Sequence, residues 1–312
     1  MTIQINSTED YHINEIESLG WELTVCNMLQ DEESAARSIL KKDQTFGKHL
    51  IDFLKKNIKI KKVKNVLEVG GGYGYIMKDI IDEYPSISAT MLDISPFLIE
   101  KQKETLKGNK IKFLIQNIFK TKPDIIEKND LVIFNENIGD FPTAINFIMS
   151  DIEDSNAPSA KEVLRFVDHY DLEVPEDSPI NLNLGALQAL ELCCNQDVAT
   201  IFMSEHSCEA VVPEEYKGMI NIPTSSYAER IPLKGHDEYT IKFSHLETVG
   251  RKKGYSMIRG SFADLIPIEF TEKIRFILNS DSQKDEHEII RHFIEDLFKY
   301  EFILFTRNKK KR

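Results

Sequence analysis

No apolar run in the chain reaches the roughly 18 residues that a membrane-spanning helix needs. Cysteine is scarce: Cys26, Cys193, Cys194 and Cys208 in 312 residues, with no C-x-x-C pair. That argues against a disulfide framework. It also leaves a set of Cys193, Cys194, His206 and Cys208 without the usual zinc spacing, so no metal is expected. The opening Met1-Thr2-Ile3-Gln4 lacks the basic-then-apolar pattern of a signal peptide, which makes the cytoplasm the default location. Positive charge is in deficit, 39 Lys and Arg against 51 Asp and Glu for a net charge of −12. A nucleic-acid surface needs clustered cations, so none is expected, whereas a cationic substrate would suit this balance. Two nucleotide fingerprints are missing as well: G-x-G-x-x-G, and a glycine loop followed by Lys-Ser or Lys-Thr. No internal repeat stands out.

What the chain does have is Val66-Leu67-Glu68-Val69-Gly70-Gly71-Gly72-Tyr73-Gly74, followed by a helical pattern over residues 75–84. This reads as strand, glycine turn and helix, the entry unit of an open α/β sheet. Gly70, Gly72 and Gly74 let the backbone turn sharply and leave no Cβ between chain and ligand. An acid, Glu68, just before the turn suits a ligand with a cationic end. A second strand, Ser88 to Asp93, ends in an acid about 20 residues past the turn, where open α/β sheets place the carboxylate for ribose hydroxyls. Ser95 and Pro96 then supply an N-cap and a first helical residue. The third strand, Ile111 to Ile115, runs into Asn117, whose amide can both donate to and accept from an adenine edge. These features point to S-adenosyl-L-methionine as cofactor, with Glu68, Gly70, Gly72, Gly74, Asp93 and Asn117 binding it. Each also has a plainer reading as a packing turn, a solvated strand end or a turn residue.

The fourth strand, Asp130 to Phe134, leads into Asn135-Glu136-Asn137-Ile138-Gly139-Asp140-Phe141-Pro142-Thr143. Chemistry in open α/β sheets lies beyond the carboxyl ends of the central strands. Glu136 is therefore expected to hold a cationic acceptor or take its proton, with Asn135 orienting it. No Asn-Pro-Pro-Tyr or Asp-Pro-Pro-Tyr run occurs here. Residues 1–60 read as a helical lid. One helix carries Ile16, Leu19, Trp21, Leu23, Val25, Cys26 and Met28, a second spans about Glu32 to Lys41, and a third Gly47 to Asn57. Residues 61–312 form the main domain, with substrate-side insertions at about 144–197 and 207–237. The fifth strand is expected at Val198–Met203, ending near His206. A further strand is expected at 238–243 and a sixth at 255–259. A helix over 285–299 and a closing strand from Tyr300 complete the domain. Lys309 to Arg312 form a basic tail.

Residues 66–143 resemble the class I S-adenosylmethionine-dependent methyltransferases, with Glu68 to Gly74, Asp93 and Asn117 in that family's order. The resemblance implies a Rossmann-like, doubly wound α/β fold whose seven-stranded sheet is mostly parallel with its last strand antiparallel. Residues 135–142 are similar to the Asn-Glu-Phe-Phe-Asp-Ala-Leu-Pro stretch of the MidA-type protein arginine methyltransferases of complex I assembly. Gly235, Asp237, Phe243 and Leu246 look like a later stretch of that family, although Lys242 stands where it has an acid and Glu205-His206-Ser207 replaces its Asp-Tyr-Gly. By that match Glu136 would be the acceptor-site carboxylate. The function expected is methyl transfer to a nitrogen or oxygen of a small-molecule or protein acceptor. Protein arginine is one candidate, and a non-catalytic cofactor-binding assembly module is the alternative.

Overall fold

The structure is a computed structural model describing residues 2–19, 24–280 and 282–308. Its twelve strands are β1 (Gln4–Asn6), β2 (Asn65–Val69), β3 (Ser88–Asp93), β4 (Ile111–Ile115), β5 (Leu131–Asn135), β6 (Thr143–Phe147), β7 (Ile180–Leu182), β8 (Thr200–His206), β9 (Arg230–Pro232), β10 (Asp237–Tyr239), β11 (Tyr255–Ser261) and β12 (Tyr300–Arg307). Seven of them form the main sheet in the order β11-β12-β8-β5-β2-β3-β4. Pairings among β4, β3, β2, β5 and β8 are parallel, and β12 runs antiparallel to both β8 and β11. This is the expected Rossmann-like, mostly parallel seven-stranded sheet, with its last strand reversed.

Alternation along each central strand feeds two cores. Leu131 and Ile133 of β5, with Phe302 and Leu304 of β12, face one side. There they meet the helices Phe46–Asn57, Tyr75–Glu83 and Asp285–Lys299. Val132 and Phe134, with Ile303 and Phe305, face the other. There they pack on Pro158–Tyr170, Leu184–Asn195 and Phe243–Lys252. Strands buried on both faces read as continuous apolar runs, which is why β5 and β12 are so plain in the sequence.

Sequence order reverses around β2, whose neighbours are β3 and β5. That switch point opens a crevice at the carboxyl ends of the strands. β1 pairs with β6, which pairs with β7, in a small antiparallel sheet. The N-terminal strand is thus tied to the segment that follows β5. Within the stretch read as the first insertion, Leu187 and Leu190 belong to the crossover helix leading into β8. β9 and β10 form a two-stranded ribbon in place of a longer strand at 238–243, because the Phe243 helix begins there.

Two expectations about the N-terminus are corrected. Of the first helix expected over Ile16 to Met28, the described residues show only Val25–Met28 as helix, and a separate helix, Glu9–Asn14, ends before Ile16. Thr24 is extended and its hydroxyl accepts from the Asn27 N–H at 2.9 Å, so a new helix starts there. Trp21 and Leu23 lie outside the described residues, as does the tail from Lys309 to Arg312. The second helix is replaced by turns and a single 3-10 turn, Arg37–Ile39. Asp31 Oδ1 accepts from the Glu33 N–H and Ser34 Oγ from the Ala36 N–H, at 2.9 and 3.3 Å. Such local bonds compete with helix formation.

Phe293 is fully buried, whereas Phe276 is 64% exposed. Phe293→Ala is expected to cost about 3–5 kcal/mol in urea unfolding, and Phe276→Ala less than about 0.5 kcal/mol.

Candidate functional site

The crevice is walled by the ends of β2, β3, β4 and β5 and roofed by N-terminal residues. Glu68, Gly70, Gly72, Asp93, Asn117, Asn135 and Glu136 all line it. The glycine turn is tight. Gly70 has φ +60°, and a Cβ there would strike the Asn137 side chain. That side chain closes over the turn, donating from Nδ2 to the Val69 carbonyl. Gly74 is absent from the crevice lining. It sits at the helix N-cap with φ +84°, where a Cβ would lie 3.3 Å from Leu106 and 3.5 Å from the Gln102 backbone.

Glu68 is buried, and its Oε2 has no hydrogen-bond partner among the described residues. Burial, then the Asp93 charge, push its carboxyl up to about 8, with the Met77 N–H partly offsetting this. Asp93 Oδ1 accepts from the Ser95 N–H at 2.9 Å, and Oδ2 from Gln102 Nε2 at 2.9 Å. Burial still outweighs these donors and raises Asp93 to about 6. Gln102 also donates to the Gly72 carbonyl at 3.1 Å, joining glycine turn to acid. The sequence signal for it was a polar residue on the buried stripe of the helix Pro96–Thr105. Asn117 Oδ1 accepts from the Phe119 N–H at 2.9 Å, so it caps a 3-10 turn while bordering the crevice.

Glu136 has φ +51°, uncommon for a non-glycine residue. Its Oε2 accepts from the Val25 N–H at 2.7 Å. Its Oε1 accepts from the Cys26 N–H at 3.1 Å and from Asn135 Nδ2 at 2.9 Å. Burial nevertheless raises it to about 7. Asn135 is held in turn by the Ser204 hydroxyl, which donates to its Oδ1 at 2.9 Å. Glu136 therefore grips the start of the Val25–Met28 helix. Tyr73, from the glycine turn, grips the same segment. Its hydroxyl accepts from the Leu19 N–H and donates to the Leu19 carbonyl, at 2.7 and 2.9 Å.

Sequence reasoning missed Tyr73, Gln102, Asn137, His12 and Asp140. The last two border the crevice and lie 3.0 Å apart. Burial opposes a charge on the His12 ring, but neighbouring Asp140 prevails and its pKa is raised. Behind them, burial and neighbouring acids raise Glu205 and Glu238. His206 is outside the crevice lining; burial holds it neutral, at about 3. Among the described residues, the cysteines form no ligand cluster. No helix of the described residues is long and apolar enough to cross a membrane.

Residues 39–141 match the family model of the methyltransferase small domain. A malonyl-[acyl-carrier protein] O-methyltransferase from Anoxybacillus flavithermus is 38% identical over 72 residues, 23% of this chain and 27% of that protein. "Probable inactive O-methyltransferase 11" of Dictyostelium discoideum is 28% identical over 76 residues, 24% of this chain and 23% of that protein. The chain thus spans about a quarter of the length of these curated relatives. An O-methyltransferase family protein from Burkholderia thailandensis superposes at a TM-score of 0.45 with 11% identity, covering 85% of this chain and 57% of that one.

Replacing Glu136 with alanine removes the acceptor for two backbone N–H groups. In Glu136→Ala, hydrogen exchange at the Val25 and Cys26 amides is expected to quicken by roughly 10–100-fold. Amides of β5 should keep their protection.

Proposed function

We propose that this chain, a class I S-adenosylmethionine-dependent methyltransferase in fold, transfers a methyl group from S-adenosyl-L-methionine to a nucleophilic nitrogen or oxygen. The observation that carries the reading is the unpartnered, buried Glu68 Oε2 beside a glycine turn, with Asp93 at the end of the next strand. An orphaned carboxylate oxygen in a crevice calls for a cationic donor. When bound, the cofactor supplies an ammonium group for that oxygen and a methyl group already activated on a sulfonium.

The protein's part is to bind, align and exclude water. Glu68 accepts from the amino-acid end. Asp93, with acceptor capacity beyond its two intramolecular bonds, takes ribose hydroxyls. Gly70 and Gly72 let the backbone approach, and Asn117 flanks the adenine. Residues 1–60 act as the lid on the domain formed by 61–312, fastened by Tyr73 and Glu136. Glu136 and Asn135 face the acceptor. To take a proton, Glu136 exchanges one of its amide bonds for the acceptor.

A second cleft shares Leu19, Asn27, Tyr73 and Tyr75 with the first and is lined by Asp31, Glu33 and Glu286. Its acidic wall favours an acceptor that is cationic or carries an amine. A protein arginine is one such acceptor and a small amine another; a small-molecule hydroxyl is the O-methylation counterpart. The saturated hydrogen bonding of Glu136 favours a second reading, a cofactor-binding assembly module without turnover, in line with the relative named as inactive. Glu136→Gln separates the two: loss of methylation with cofactor binding kept supports the enzyme.

Isothermal titration with S-adenosylmethionine and S-adenosylhomocysteine tests the cofactor. Binding is expected in the wild type and to fall by roughly 10–100-fold in Asp93→Ala, the loss of charge-assisted bonds to the ribose. Absence of binding to either ligand sinks the reading. The sign of the proton linkage follows from Glu68. Its raised pKa of about 8 leaves it mostly protonated near pH 7 in the free protein. An adjacent ammonium favours the carboxylate, so binding should release a proton. Titrations in buffers of different ionisation enthalpy should show this release, and Glu68→Gln should abolish it. In the free protein, the stability Glu68 contributes is full below its unfolded pKa and lost as pH rises through about 8. Glu68→Gln should therefore melt above the wild type at pH 9, by roughly 2–4 °C per kcal/mol recovered.

A further inference from the structure

His12, Asp140 and His236 converge although they come from the first helix, the loop after β5 and the turn between β9 and β10. One ligand atom from each lies within 4.8 Å of the others. His12 Nε2 is 3.0 Å from Asp140 Oδ1, and His236 Nε2 is 3.5 Å from the same oxygen. Glu238 Oε1 is 3.3 Å from His236 Nε2. Two donors bound to one ion at about 2.1 Å are separated by roughly 3.0–3.4 Å in octahedral or tetrahedral geometry. The distances from Asp140 Oδ1 to the two histidines, 3.0 and 3.5 Å, lie at that range.

Shielding adds a second observation. His12 Nε2 and Asp140 Oδ1 meet as an ion pair away from solvent, and among the described residues neither atom has a hydrogen bond of good geometry. Buried polar atoms left in this state have capacity for a shared third body. Charge gives a third observation. Asp140, Glu238 and Glu205 crowd together, and among the described residues none of them pairs with a lysine or arginine; Asp140 meets His12 and His236, and Glu238 meets His236. A nearby cation relieves such crowding of like groups.

The rings are also held in place before any ion arrives. Tyr11 stacks on His236 with centroids 4.1 Å apart, and the His12 and His236 rings cross edge to face at 5.4 Å. Gly235 makes room for that stack, since a Cβ there would come within 2.8 Å of Tyr11. Thr8 Oγ1 donates to the Asp140 carbonyl at 2.9 Å, fixing the helix that bears His12 to the loop that bears Asp140.

We propose that His12, Asp140 and His236 bind one divalent first-row metal ion at the wall of the crevice. Two imidazoles and a carboxylate are a donor set suited to zinc, iron or manganese. His12 and Asp140 border the crevice, so the ion's remaining coordination positions open towards it and take an oxygen or nitrogen of a bound molecule. The site also staples the N-terminal helix to the loop after β5. Sequence spacing gave no hint of it, because its ligands stand at 12, 140 and 236. The inference rests on this geometry and stands apart from the cofactor reading.

The test is titration of the full-length protein, stripped with a chelator, with Zn²⁺ and separately with Mn²⁺. One zinc ion per chain is expected, bound more tightly than manganese, with a zinc-dependent rise in melting temperature. Co²⁺ in its place should give visible ligand-field bands. His12→Gln and His236→Gln should each weaken zinc binding by roughly 100-fold or more and lose both the temperature rise and the bands. Their metal-free melting temperatures should match the wild type, which separates lost ligation from lost folding. Failure of the wild type to bind zinc, or equal binding by wild type and both variants, overturns the proposal. S-Adenosylhomocysteine titrated into the same samples reports the cofactor site on its own.

Discussion

Buried negative charge at the carboxyl ends of the strands is the constraint on which this structure turns. Glu68, Asp93 and Glu136 stand around one crevice, and burial raises the pKa of each. A carboxylate in a low-dielectric wall either takes a proton, gathers N–H donors or meets a cation. Asp93 and Glu136 gather donors, two and three respectively. Glu68 keeps one oxygen without any. Chemically similar groups thus differ in how the protein satisfies them: Asp93 and Glu136 already hold protein donors, and Glu68 keeps an oxygen for a donor brought from outside.

The donors that Glu136 gathers belong to the N-terminal segment, and this couples closure to the site. Val25 and Cys26 donate to it while Tyr73, on the glycine turn, holds Leu19. The crevice therefore has one wall made by the sheet and a roof fastened to that wall at the points where ligand contacts are expected. Pairing of β1 with β6 carries the same coupling further, since the strand after the Glu136 loop is itself paired with the N-terminus. A shift of the roof would be felt at the glycine turn and at the loop after β5 together, because interfaces packed this tightly move as units.

Much of the sheet was legible because its signals are local. β3 and β4 occur over the residues expected, Ser88–Asp93 and Ile111–Ile115, and Ser95 caps the helix beginning at Pro96 as foreseen. Both are set by short-range chemistry: an apolar run closed by an acid or a turn, and a cap beside a proline. The first two N-terminal helices were misjudged, because their apolar spacing mimics a helix while Thr24, Asp31 and Ser34 redirect the backbone; the third, Phe46–Asn57, lies where it was expected. Gly74 belongs to the motif and stands at the N-cap of the helix Tyr75–Glu83, beyond the residues that line the crevice. Periodicity reports which residues are buried, not which backbone bonds win.

Glu136 shows why a motif position underdetermines chemistry. Its place after the fourth parallel strand was readable; what its two oxygens touch was not, since Val25 and Cys26 lie more than a hundred residues away. The same holds for Asp140, which looks like an ordinary polar loop residue until His12 and His236 arrive beside it. The Glu136 carboxylate is bound by backbone amides, and the Asp140 carboxylate by two histidine rings. The sequence supplies the carboxylate in both cases, and only the tertiary contacts of the N-terminal segment distinguish them. His12, Val25 and Cys26, which belong to no motif, thus decide what the polar stretch after β5 touches.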